Sequence, residues 1–262
     1  MRQVMKIYIH TDLEGISGIG AMEMIDRESP SFKLSAARLI ADVNAAAAGA
    51  FEGGASFVTV LDSHGGGGNI DPAQLDPRAD FDKKENGLWW GKLDDSYAGT
   101  FFIGAHAMAG TMNGFLDHTQ NSVRWYNYIV NGRRMGELAQ WAMVAAHFKV
   151  PLLMVSGDEA ACAEARNFFG AVECAAVKRG IGRNRAELMD TEAALTLIRE
   201  TARKAASLAG RGSLFTPILP MEVRLELCRG DYCDDIARQP GVERIDARTV
   251  RKVCNSYLDC LF

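Results

Sequence analysis

Four short runs of mainly apolar and β-branched residues in the chain each end abruptly at acidic residues, histidine or glycine. They cover residues 6–11, 56–61, 99–104 and 151–156. Such runs are typical of parallel strands buried on both faces of a sheet. Segments at residues 32–51, 136–148, 158–169 and 191–208 predict helices between or after the runs, and Gly53-Gly54 ends the first of them. This order of strands and helices predicts an α/β fold.

The last part of the chain has a different pattern. Apolar residues alternate with polar ones at Val223, Leu225 and Leu227, as in a strand with one exposed face. We predict strands at 222–227 and 242–245, a helical segment at 231–238, and a final helix from residue 247 to the C-terminus. The predicted fold class is therefore α/β, with a mainly parallel central sheet flanked by helices and a smaller C-terminal α+β part. We place the core domain at residues 1–178 and the C-terminal part at residues 179–262.

Composition narrows the classes of function. The 262 residues carry a net charge of −4 and no basic stripe, which argues against nucleic-acid binding. No apolar run approaches the roughly 18 residues of a membrane span. The six cysteines form no Cys-x-x-Cys pair, so neither a zinc ribbon nor a disulfide framework is indicated. Residues 1–6 lead directly into the first predicted strand without a separate targeting segment, and we expect a cytoplasmic protein.

The polar residues that follow the predicted strands are candidates for a metal site. Asp12 and Glu14 follow the first strand, His64 the second and His106 the third. Ligands of open α/β sheets bind outside the carboxyl ends of the strands, so we expect these side chains to lie close together. Each also has a simpler interpretation, because acidic residues and histidines are common in turns that serve no site.

Two further residues from the middle of the chain extend this group. Glu137 opens a predicted helix, where a carboxylate either favours the helix dipole or is held rigidly as a ligand. His118 follows a glycine-containing loop after His106. Two histidines and three carboxylates, without His118, exceed what one tetrahedral zinc with an open position requires, and they suit two divalent ions bridged by a carboxylate. Nitrogen and oxygen ligands favour zinc, with manganese or cobalt as competitors, so the residues alone indicate a binuclear hydrolase.

Several blocks of sequence around these residues occur together in a fixed order. They are Asp12-Leu13-Glu14-Gly15-Ile16-Ser17-Gly18, Asp62-Ser63-His64, Gly104-Ala105-His106-Ala107, Asp117-His118, Gly136-Glu137-Leu138 and residues 150–158. In this order they resemble the zinc-dependent D-aminopeptidases of the bacterial dipeptide-transport-protein A type. The resemblance covers residues 6 to about 185 and rests mainly on length and layout beyond that point.

This resemblance implies two zinc ions per subunit. Asp12 matches the aspartate that bridges the metals, and His118 matches the catalytic histidine, described as a nucleophile or proton-transfer group. The remaining ligands match Glu14, His64, His106 and Glu137. The resemblance also implies release of an N-terminal D-amino acid from short peptides. It further implies a homo-oligomer built from rings, such as a decamer of two pentamers.

Two other functions use similar residues and stay open at this point. A two-metal phosphoesterase or another amidohydrolase would have the same ligands, and Lys178 and Arg183 in a predicted basic loop would then bind phosphate. In an aminopeptidase the same two side chains would bind a peptide carboxylate or lie in a solvated turn. A non-catalytic scaffold would use the metals only to hold the oligomer together. His118 argues against the scaffold, because five ligands suffice without it.

Overall fold

The computed structural model describes residues 4–262, and the start of the chain, for which we expect no targeting segment, lies outside the described residues at 1–3. The described part contains the strands β1 (Lys6–Thr11), β2 (Phe57–Asp62), β3 (Ala79–Asp82), β4 (Gly99–Ala105), β5 (Trp125–Val130), β6 (Arg133–Met135), β7 (Leu152–Asp158), β8 (Glu173–Gly182), β9 (Arg185–Leu188), β10 (Met221–Leu227), β11 (Glu243–Arg244) and β12 (Thr249–Cys254). Its α-helices are α1 (Phe32–Glu52), α2 (Glu137–His147), α3 (Glu159–Phe169), α4 (Thr191–Ser207) and α5 (Gly230–Ile236).

The strands form two sheets. The larger sheet has seven strands in the order β3-β2-β1-β4-β7-β8-β9, all parallel to their neighbours except the antiparallel pair β8 and β9. The smaller sheet has five antiparallel strands in the order β11-β12-β10-β5-β6. Because β1, β2 and β4 are parallel neighbours, their carboxyl ends lie side by side at one edge of the larger sheet.

Helices cover both faces of the larger sheet. Helices α1 and α4 pack on one face, with Val43 and Ala202 in a core shared with Ile9 of β1. Gly49 allows the close approach of these two helices, because a Cβ there would overlap with the carbonyl oxygen of Arg199. Helix α2 packs between the other face and the smaller sheet, and its Trp141 is fully buried there. Within residues 4–262, no helix combines the length and the apolar character that crossing a membrane requires.

The predicted fold class is confirmed, since a mainly parallel sheet with flanking helices is joined to a separate antiparallel sheet. The predicted division at residue 178 is not tested and stays a prediction. It falls inside β8, and the smaller sheet takes β5 and β6 from before that residue.

The final helix predicted from residue 247 is wrong, because residues 249–254 form β12. These residues include the β-branched Thr249, Val250 and Val253, which favour a strand, and they pair along β10. The strand β3 was not predicted, because it lies in a stretch that has no clear hydrophobic period. The predicted basic loop that begins at Lys178 is instead part of the β8–β9 hairpin.

Candidate metal centre

The chain after β1 lies across the end of β4. The backbone N–H of Asp12 donates to the carbonyl oxygen of Ile103 at 2.8 Å, and that of Gly15 donates to Gly104 at 2.8 Å. A Cβ at position 15 would overlap with the carbonyl oxygen of Ala105, so only glycine permits this approach. The loop is therefore fixed where β4 ends, directly before His106.

Asp12 lies between two histidines from neighbouring strands. Its Oδ1 is 2.9 Å from Nδ1 of His64, and its Oδ2 is 3.3 Å from Nε2 of His106. On the first side, Oε2 of Glu14 is 3.0 Å from Nδ1 of His64. On the second side, Oε1 of Glu137, from the first turn of α2, is 3.4 Å from Nε2 of His106. The carboxylate of Asp12 thus presents one oxygen to each of two groups of ligand atoms.

His118 completes the second group. Its Nε2 is 3.7 Å from Oε1 of Glu137, and its ring stacks on that of His106 with 4.0 Å between the centroids. Asp12, Glu14 and His64 are one set of residues that could hold a metal ion, and His106, His118 and Glu137 are another. The structure brings all six predicted site residues together. The position of His118 suits both a proton-transfer group and a ligand, so its assigned role stays a prediction.

Two buried atoms of the cluster show that the site suits a cation. In the described part of the chain, Oε2 of Glu14 and Nε2 of His106 have no hydrogen-bond partner, although each lies near an oppositely charged group. Oε2 of Glu14 lies beside His64 in one group, and Nε2 of His106 lies beside Glu137 in the other. Buried polar atoms are normally paired, and a metal ion in each of the two groups would satisfy these atoms.

Backbone carbonyls fix the protons on two of the histidines. Nδ1 of His106 donates to the carbonyl oxygen of Ala107 at 3.0 Å, and Nδ1 of His118 donates to that of Leu116 at 2.8 Å. Since a carbonyl oxygen only accepts, Nδ1 carries the hydrogen in each ring, and the neutral ring presents the lone pair of Nε2 to the carboxylates. This second hydrogen bond is typical of histidines that bind metals.

The pKa values of the histidines and of Glu137 show that the carboxylates of the cluster favour a positive charge beside them. Burial disfavours a charge on His64, yet the carboxylates of Glu14 and Asp12 outweigh burial and raise its pKa to about 11. The pKa of His106 is likewise raised well above its ordinary value against the effect of burial, by Glu137 and Asp12. Burial raises the pKa of Glu137, but His106 outweighs it and lowers that pKa to about 2. Divalent cations would supply the charge that protons on the two imidazoles otherwise provide.

Comparison with known proteins identifies the family. The model of the peptidase M55 family, the D-aminopeptidases, matches residues 5–261. The chain belongs to this family. It is 34% identical over 243 residues to the D-aminopeptidase of Bacillus subtilis (strain 168), covering 91% of this chain and 87% of that protein. The resemblance of the sequence motifs and the predicted D-aminopeptidase function are therefore confirmed.

A solved member has the same fold. It is the Zn-dependent D-aminopeptidase DppA from Bacillus subtilis, a self-compartmentalizing protease, which is similar to this chain with a TM-score of 0.92 and 29% identity. The similarity covers 98% of this chain and 94% of that one.

In this chain, Lys178 supports the loop after β1 that carries Glu14, and its amine does not face the candidate metal site. Its Nζ donates to the carbonyl oxygens of Glu14 and Ile19, both at 2.7 Å, and the side chain is buried. Burial lowers the pKa of this amine to about 7. Arg183 is partly exposed, with its Nε 3.6 Å from Oδ1 of Asp117. Sequence reasoning missed the role of Lys178 because its partners are backbone atoms far away in the chain.

The candidate metal ligands open onto two adjoining cavities. One, of about 300 Å³, is lined by the cluster itself, and the other, of about 240 Å³, reaches past Glu137 toward Trp89 and Trp141. His10 lines both, and its ring stacks on Trp141 with 4.1 Å between the centroids. The site therefore has room beside the ligands for a small organic substrate.

Proposed function

We propose that this protein is a zinc-dependent D-aminopeptidase that hydrolyses the N-terminal residue from short peptides or amino-acid amides, with two zinc ions per subunit. The observation that carries this proposal is the position of Asp12, whose two oxygens face His64 on one side and His106 on the other. A carboxylate that faces two ligand groups suits a bridge between two metal ions. The zinc dependence of the solved family member supports the choice of metal.

The five predicted ligands divide between the two ions. Asp12 would bridge, Glu14 and His64 would hold one ion, and His106 and Glu137 would hold the other. The set contains nitrogen and oxygen atoms without thiolate, which zinc accepts. Bound zinc would lower the pKa of a water molecule toward about 7 and polarise the scissile carbonyl.

The side chains around the cluster would bind the substrate and move its protons. Oxygens of Glu14 would accept hydrogen bonds from the free amino terminus of the peptide. His118, anchored through Nδ1 on the carbonyl of Leu116, has its Nε2 available to take up a proton and pass it to the leaving amine. Its stacking on His106 holds the ring in this orientation.

The hydrogen bonds of Lys178 argue against the phosphoesterase alternative. In that alternative Lys178 would bind phosphate, but its amine is instead hydrogen-bonded to the backbone of the loop that carries Glu14. The cavity next to Glu137 also has aromatic walls, which suit a peptide better than a bare phosphate.

We further propose that the protein forms a homo-oligomer built from rings, such as a decamer of two pentamers, because the solved family member is a self-compartmentalizing protease. Sedimentation velocity of the purified protein tests this, and a monomer at micromolar concentration would contradict it. A cytoplasmic location stays a prediction.

The test of function compares three substrates on the zinc-loaded protein: D-Ala-D-Ala, L-Ala-L-Ala and p-nitrophenyl phosphate. We expect hydrolysis of the D-dipeptide to exceed that of the others, to disappear after chelation and to return with zinc. Preferential cleavage of the phosphate ester would favour the phosphoesterase. Bound zinc without turnover of any substrate would favour the scaffold.

A further inference from the structure

The cavity that reaches past Glu137 differs from the metal cluster in the hydrogen-bonding groups it offers. The cluster presents carboxylate oxygens, which accept hydrogen bonds. The cavity adds the side chains of Gln140 and Lys84, which donate them, and the aromatic walls of Trp89 and Trp141. The two spaces adjoin, because Glu137 and His10 line both.

Gln140 lines this cavity and has an unpaired donor. Its side chain is 1% exposed, and its Oε1 accepts a hydrogen bond from Nε2 of Gln120 at 2.8 Å. Its own Nε2 has no hydrogen-bond partner among residues 4–262. Gln140 follows Glu137 by three positions on α2, so it lies on the same helix face, about 4.5 Å further along the axis. The unpaired N–H groups are therefore one helix turn beyond a metal ligand.

Lys84 brings a fixed positive charge to the same cavity. Its Nζ donates to the carbonyl oxygens of Asp62 and Gly66 at 3.0 and 2.8 Å. An ammonium group has three N–H donors, so one is left for a ligand. The backbone of Lys84 has φ = 52°, a conformation that is strained for a residue with a side chain and that gathers at functional sites. The hydrogen bond from its N–H to Oδ1 of Asp82, at 2.8 Å, holds this conformation.

We propose that this cavity is the subsite for the substrate residue on the C-terminal side of the scissile bond. In a dipeptide, Gln140 and Lys84 would bind the terminal carboxylate of that residue. The inference rests on the proposed function, which places the amino end of the peptide at the acceptors of the cluster. A dipeptide then has its amine where the chain offers carboxylates and its carboxylate where the chain offers N–H donors. The subsite makes the enzyme favour dipeptides over their C-terminal amides.

The test measures kcat/KM for D-Ala-D-Ala and for D-Ala-D-Ala amide. The variant Gln140→Met keeps the length of the side chain and removes the donor, together with the oxygen that accepts from Gln120. We expect kcat/KM for the free dipeptide to fall about 10-fold or more, mainly through KM, which is the size of one hydrogen bond to a charged group. The value of kcat/KM for the amide should change less than about 2-fold, because that substrate has no terminal carboxylate for Gln140 to bind. Lys84→Met should act in the same direction.

The matched control is Gln239→Met, at an exposed glutamine that does not line the cavity, and it should leave both values unchanged. Zinc content, measured for every variant, should stay at the wild-type value. Equal kcat/KM for the two substrates in the wild type would overturn the subsite, and so would an equal loss for both in Gln140→Met.

A binding measurement separates this inference from the proposed function. Calorimetry on the chelated protein should show tighter binding of D-Ala-D-Ala than of its amide, and the preference should disappear in Gln140→Met. If the wild type hydrolyses neither substrate but shows this preference, the proposed function fails and the subsite stands. If the chelated wild type binds both peptides equally, the subsite is wrong.

Discussion

Charged side chains are arranged in opposite ways in the two sheets. On the smaller sheet, Arg251 of β12 pairs with the exposed Glu243 at 2.8 Å and lies beside Glu222 of β10, and both Arg251 and Glu222 are partly exposed. At the edge of the larger sheet, Asp12 and Glu14 are buried and meet each other and histidines. Exposed ion pairs contribute little to stability, whereas buried carboxylates are costly unless a cation or hydrogen bonds satisfy them. The buried carboxylates therefore require a compensating cation, whereas water and neighbouring side chains satisfy the exposed pairs.

Among the residues of the buried cluster that are not predicted ligands, His118 should show the largest effect on activity. His118→Ala should lower kcat by roughly 10²–10⁴, because a general acid–base acts in the transition state, while KM changes much less. Zinc content and the far-UV CD spectrum should match the wild type. His147→Gln is the matched control, since that exposed histidine ends α2 far from the ligands, and it should keep activity within a few-fold. Loss of zinc together with activity in His118→Ala would instead make His118 a ligand.

Lys178 should show an intermediate effect, on stability as well as on activity. Lys178→Met leaves the buried carbonyl oxygens of Glu14 and Ile19 without their donor, which should reduce the free energy of unfolding by about 2 kcal/mol. Activity should fall as well, because the loop that carries Glu14 loses its support. Urea denaturation and zinc titration measure the two effects. Unchanged stability and zinc affinity would mean that the loop is held without Lys178.

The cost of Lys178→Met should also depend on pH. Burial lowers the pKa of Lys178 from 10.5 to about 7 in the folded protein, so the unfolded chain binds more protons between these values. This contribution makes the wild type more stable as pH rises from 7 toward 10.5, and the methionine variant lacks it. The difference in unfolding free energy between wild type and variant should therefore grow by at least about 1 kcal/mol from pH 7 to pH 9.5. A difference that shrinks with pH would contradict the burial of this amine.

The exposed pairs of the smaller sheet should show the smallest effect. Arg251→Ala removes the partner of Glu243, which water then solvates, while Glu222 keeps its ion pair with Arg224 at 2.7 Å. We expect Tm and kcat/KM to equal those of the wild type within error. A large loss of activity would mean that the exposed charges of this sheet take part in the site.

The sequence was sufficient to predict the residues that follow the strands. Asp12, His64 and His106 could be found because parallel neighbouring strands bring their carboxyl ends together whatever the details of packing. Glu137 could be found because a helix start is recognisable in the chain. The end of the chain could not be predicted in the same way, since the choice of strand for residues 249–254 depends on pairing with β10.

The residues of the second cavity show where sequence reasoning stops. Gln140 and Lys84 belong to no motif, and their positions follow from tertiary packing of α2 and of the glycine loop against the strand ends. Lys178 looked like part of a basic loop, but its strand is interior to the sheet and its partners are backbone carbonyls. Such contacts join residues far apart in the chain, and spacing carries no information about them.

The most direct test of the account is the zinc content of wild type and Asp12→Ala, measured by elemental analysis after removal of loose metal. We expect two zinc ions per chain in the wild type and fewer than one in the variant, since the bridging carboxylate serves both ions. Asp71→Ala, at an exposed aspartate outside the cluster, should keep two. Two tightly bound ions and normal turnover in Asp12→Ala would show that Asp12 is no bridge and would contradict the account.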